Sequence, residues 1–132
     1  MNNKSILIID DDNNIRKIAS IALSRIAKWQ VFEANSGLNG LAMAQAQLPD
    51  CILLDIMMPN ISGVEIYHKL QANPLTKPIP VIFITAKVQK HEITNYLNLG
   101  VWGVITKPFD PLKLPGEIQN ILNSNRIGQS VK

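Results

Sequence analysis

Hydrophobic positions along this chain follow two rhythms that take turns from one end to the other. Short apolar runs rich in β-branched residues read as strands: SILIID (5–10), QVFEA (30–34), CILLD (51–55), PVIFITA (80–86) and VWGVIT (101–106). The stretches between them carry helical spacing. Ile15, Ile18, Ala19, Ala22 and Ile26 form one stripe, with Arg16, Lys17, Ser20, Ser24 and Arg25 on the other face and Asn13 or Asn14 to cap the start. Ser36 opens an uncharged helix, SGLNGLAMAQAQ, that Pro49 stops. A third helix runs from Gly63 to Gln71 and ends before Asn73-Pro74. A fourth runs from Val88 to Leu99, closed by Gly100. Asp110-Pro111 opens the last as N-cap and first-turn proline. That helix extends to about Asn123, with a first turn loosened by Pro115 and Gly116. Residues 1–124 are expected to form the domain and 125–132 a flexible C-terminal tail.

Strands alternating with helices imply an α/β fold with a parallel sheet. Repeats of this length fit a doubly wound (βα)5 sandwich of three layers with strand order 2-1-3-4-5. Ligands in such a sheet bind at the carboxyl ends of the strands, beside the switch point between strands one and three. Asp10 and Asp11 end strand one there, and Asp55 ends strand three. CILLD is apolar throughout, as befits a strand covered on both faces.

The composition narrows the classes. The 132 residues suit one domain, and 46% hydrophobic against 17% charged residues excludes a disordered chain. No apolar run nears the roughly 18 residues of a membrane span, and no export signal precedes strand one. The single cysteine, Cys51, has no partner for an internal disulfide, which fits the cytoplasm, and starts a buried strand as a small hydrophobe. The net charge of +3 is scattered, so direct nucleic-acid binding is not expected.

The crowding of Asp10, Asp11 and Asp12 needs a reason, since carboxylates about 4 Å apart near a protein surface repel by about 4 kcal/mol. The first turn, DDDNN, has no glycine, and no GxxxxGK occurs, so a phosphate loop is excluded. A hard cation such as Mg2+ takes one or two carboxylates, a carbonyl and several waters, and suits the acids. Thr85, ending strand four, adds a hydroxyl, and Lys107, ending strand five, adds a positive charge. Together these groups can clamp a phosphoryl group in transfer. Asp12 is expected to face solvent at the helix entry rather than bind metal. His68 and His91 lie away from the strand ends and receive no role.

In their order and spacing, IIDDD, LLDIMMPNISG, IPVIFITA and GVITKPFDP resemble the receiver domains of two-component response regulators over residues 4–124. The likeness is to the stand-alone, chemotaxis-type regulators, which have a flavodoxin-like fold. It implies that Asp55 accepts a phosphoryl group from a histidine kinase or histidine phosphotransfer protein. It also implies Mg2+ held directly by Asp11, through water by Asp10, and by Asp55 and the Met57 backbone carbonyl. Thr85 and Lys107 would contact phosphoryl oxygens, and the Lys107-Pro108 bond would be cis. Such a protein is a cytoplasmic signalling switch, a monomer or weak dimer controlling a downstream protein, and no enzyme beyond its own phosphorylation and dephosphorylation.

One departure concerns output. The position three before the lysine usually carries Tyr or Phe, which swings inward on phosphorylation; here it is Val104. Strand alternation places Trp102 on the same side, as the aromatic of the output face. Trp29 is expected at the rim of the first helix. Met57 and Lys87 hold positions that tune dephosphorylation in this family. Two other functions compete. A haloacid-dehalogenase-like phosphatase is suggested by the D-x-D of Asp10 and Asp12, though the Gly-Thr that normally follows is missing. A pseudo-receiver scaffold would keep the fold without phosphorylation.

Overall fold

Five parallel strands hydrogen-bond in the order β2-β1-β3-β4-β5, the doubly wound order expected. They are β1 Ser5–Ile9, β2 Gln30–Ala34, β3 Cys51–Asp55, β4 Val81–Thr85 and β5 Gly103–Thr106. The computed structural model describes residues 4–86 and 89–131, with side chains to residue 125. Every residue of β3 and β4 is buried, because helices cover both faces of the sheet. Alternation along the strands divides the core. Ile6, Ile8, Leu53, Ile82 and Ile105 face α1 (Asn13–Ile21) and α5 (Leu114–Val131). Leu7, Ile9, Leu54 and Phe83 face α2 (Gly37–Gln47), α3 (Gly63–Ala72) and α4 (Lys90–Asn98). Among the described residues no helix is long and apolar enough to cross a membrane.

Helix ends depart from the expectations in instructive ways. Asp12, not Asn13 or Asn14, caps α1, its carboxylate accepting from the amides of Asn14 and Ile15. An ionised cap at the positive end of the helix dipole is the stronger acceptor. The helix then passes into a π turn, Ala22–Ile26, which shifts the buried stripe to Ala19, Ala22 and Leu23. Ile18 and Ile26, expected inside, are 43% and 50% exposed. Asp110 and Pro111 open a turn rather than the last helix: the Asp110 carboxylate accepts from the Leu112 amide, and α5 begins at Leu114. Pro115 lies in that first turn, where the missing amide hydrogen goes unneeded. The helix runs on to Val131 rather than ending near Asn123. At the place where it was expected to stop, the Asn125 amide group bonds to the carbonyls of Ile121 and Trp102.

Both tryptophans are misplaced by local reasoning. Trp29 is 7% exposed, packed in the α1/α5 layer rather than at a rim. Trp102 packs against that same layer, whereas Val104 packs in the other. The ladder begins at Gly103, so alternation does not reach back to residue 102. Val88, the expected start of the fourth helix, and Lys87 lie outside the described residues.

Candidate phosphoacceptor and metal site

The strand register assembles the site. Ile9 pairs with Leu54, and Asp55 with Ile84, so the residue after β1 and the last residue of β3 end side by side. Carboxylate oxygens of Asp10, Asp11 and Asp55 lie within 4.8 Å of one another. Asp10 and Asp55 are buried and Asp11 is exposed, so the trio forms a crevice with one open side. Lys107 reaches in from the end of β5, its ammonium 3.2 Å from Asp10 Oδ2 and 3.3 Å from Asp55 Oδ1. Thr85, fully buried, ends β4 beside them, and its carbonyl accepts from the Lys107 amide. The Lys107-Pro108 bond is cis.

Burial pushes the Asp55 carboxyl up to about 6, reinforced by the negative charge of Asp10 and opposed by Lys107. Burial works against the Lys107 ammonium, but the two carboxylates prevail and raise its pKa. The crevice thus holds closely spaced acids with the Lys107 ammonium between them. Three hard oxygen donors so close together suit a metal ion that prefers oxygen. Asp12 is absent from this cluster because its carboxylate is engaged in capping α1. Met57 donates its amide to Asp55 Oδ1 at 3.2 Å and leaves its side chain 57% exposed at the mouth.

Three residues matter more here than their sequence context indicates. A Cβ on Gly63 would overlap the Asp55 carbonyl oxygen and sit 2.6 Å from Ile56 Cα, so only glycine lets α3 start against the end of β3. Arg16, on the polar face of the expected first helix, is 14% exposed and turns toward the crevice. Tyr96 of α4 packs in the same layer as Val104 and meets Phe83 edge to face, with centroids 5.6 Å apart. Its spacing along α4 was the one available signal. Trp102 packs on the opposite side of the sheet, in the α1/α5 layer.

Comparison with known proteins agrees with this geometry. The model of the response regulator receiver domain matches residues 6–119. The chain is 36% identical over 127 residues to the phosphate regulon transcriptional regulatory protein PhoB of Pseudomonas aeruginosa, covering 96% of this chain and 55% of that protein. It therefore spans about half the length of that regulator, and a similar share, 51%, of the alkaline phosphatase synthesis regulator PhoP of Bacillus subtilis. It is 32% identical to chemotaxis protein CheY1 of Helicobacter pylori, covering 91% of this chain and 98% of that one. The structure of chemotaxis protein CheY4 of Vibrio cholerae superposes with a TM-score of 0.82 at 28% identity, over 89% of this chain and 98% of that one. With two buried aspartates bridged by a lysine at the strand ends of a flavodoxin-like sheet, the chain belongs to the receiver-domain family of two-component response regulators.

Proposed function

We propose that this chain is a phosphorylation-dependent switch in which Asp55 accepts a phosphoryl group from a phosphohistidine donor, a histidine kinase or histidine phosphotransfer protein. The observation carrying this reading is Asp55 itself, buried at the head of the crevice with Asp10, Asp11 and Lys107 around it. An Asp55 oxygen forms the new P–O bond as the P–N bond to the donor imidazole breaks, and the electron pair returns to the ring nitrogen. Lys107 moves from its carboxylate partners to the incoming phosphoryl oxygens, and the Thr85 hydroxyl donates to another. Asp10, Asp11, Asp55 and the Met57 carbonyl would hold Mg2+, whose charge screens the acids and draws the phosphoryl oxygens in. The only chemistry the chain performs on this reading is its own phosphorylation and dephosphorylation, in the cytoplasm.

Acetyl phosphate provides the test. With Mg2+ the intact mass should rise by one phosphoryl group, and with chelator it should not. Labelling that ignores Mg2+ would sink the metal assignment, and no labelling together with no Mg2+ binding would leave a pseudo-receiver scaffold. Turnover of phosphate esters would instead favour the dehalogenase-like alternative, against which stands the capping role of Asp12.

Output follows the α4 side of the sheet. Thr85 lies two residues beyond Phe83 on β4, and Phe83 is the register partner of Val104. Tyr96 closes on Phe83 from α4, a helix with no fully buried residue and no side-chain cap. The ring filling this interface thus comes from α4 rather than β5. A Thr85 drawn toward the phosphoryl group disturbs that packing and shifts α4, exposing a changed surface to a downstream protein. Tyr96→Ala should therefore leave phosphorylation of Asp55 within about twofold of native while erasing the beryllofluoride-induced shifts of α4 amides in NMR spectra. Native-sized α4 shifts in that variant would mean that the response of α4 does not pass through the Tyr96 ring.

A further inference from the structure

Arg16 divides its guanidinium among three acceptors. Nη1 donates to the Asp10 carbonyl at 2.8 Å, Nε to Glu33 Oε1 on β2 at 3.1 Å, and Nη2 to Asn13 Oδ1 at the start of α1 at 2.6 Å. The Asp10 amide is held as well, donating to the Ala34 carbonyl at 3.1 Å. The peptide linking Asp10 to Asp11 is therefore clamped through its oxygen. Because a peptide unit is rigid and planar, fixing that oxygen fixes where the Asp11 backbone begins. Asp11 gains from this restraint: its exposed carboxylate makes no hydrogen bond within the described residues, so its backbone position and the rotamers that backbone allows set its direction.

We propose that Arg16 is a positioning residue for the metal site, acting through the Asp10 carbonyl to aim the Asp11 carboxylate into the crevice. The inference rests on the reading that Asp10, Asp11 and Asp55 hold Mg2+. Electrostatics alone predicts the opposite sign, since removing a cation beside a cation site should tighten binding. Glu33, paired with the guanidinium, moderates that repulsion and leaves the fork free to serve as a clamp. Lysine is no equivalent, because one ammonium lacks the planar fork that reaches all three acceptors.

The test is Mg2+ titration of the full chain by calorimetry, for native protein, Arg16→Ala and Arg16→Lys, each with its metal-free melting temperature. Arg16→Ala should bind Mg2+ at least tenfold more weakly despite losing a positive charge, with Arg16→Lys between the two. At saturating Mg2+ the acetyl phosphate labelling rate of either variant should recover toward native, as a defect in metal affinity requires. Unchanged or tighter Mg2+ binding in the folded variants would overturn the proposal. So would a fall in melting temperature with no change in affinity, which marks a purely structural role, or failure of both variants to fold. If the native chain itself bound no Mg2+, the functional reading would fail first and this inference with it.

Discussion

Asp55→Asn should take up no phosphoryl group from acetyl phosphate and Mg2+, and with metal chelated it should be more stable than the native protein at neutral pH. The loss of labelling follows from removing the nucleophilic oxygen at the head of the crevice while preserving its shape. The gain in stability follows from the sign of the Asp55 shift. Its carboxyl is raised from an ordinary 3.8 to about 6, so the folded state binds this proton more tightly than the unfolded chain does. Native stability therefore declines as pH climbs between those values, while the neutral amide is unaffected. The advantage of the variant should vanish near pH 4, grow to about pH 6 and stay level above it. Its plateau should be about 1–3 kcal/mol, the lower end reflecting water at the open side of the crevice. Urea unfolding of both proteins across this range measures it. A variant less stable than native at neutral pH would mean that the Lys107 pairing outweighs burial and the repulsion from Asp10.

Asp11→Ala should erase the stabilisation that Mg2+ gives the native fold, whereas Asp12→Ala should keep it. At about 100 times its dissociation constant a ligand adds roughly 2.7 kcal/mol, worth about 10 °C of melting temperature in a domain of this size. Asp11 is the exposed member of the acidic trio, and its removal leaves two carboxylates that Lys107 already bridges. Asp12 bonds instead to the amides of Asn14 and Ile15, so its loss should cost about 0.5–2 kcal/mol with or without Mg2+. Melting curves of the two variants with Mg2+ and with chelator separate these effects. A larger metal-dependent loss in Asp12→Ala would place the ligand one residue further along the chain.

What the sequence by itself determined was the set of elements and the acids at their ends. Period-two and helical patterning depend on local backbone geometry, so β3, β4 and the order of helices were readable directly. With the winding rule for parallel sheets they put Asp10, Asp11 and Asp55 at one edge before any side chain was placed. The tertiary structure decided what patterning within one element cannot reach. Trp102 turned away from Val104 because it stands ahead of the ladder, where alternation does not apply. Trp29 became core because it packs into the layer of α1 and α5, and the π turn left Ile18 and Ile26 outside. Tyr96 meets Phe83 only once α4 lies on the sheet. Arg16 reads in sequence as one more residue of a solvated face; its partners come from the turn after β1, from β2 and from the start of its own helix. Their convergence on the guanidinium exists only after β2 and the start of α1 pack beside the end of β1.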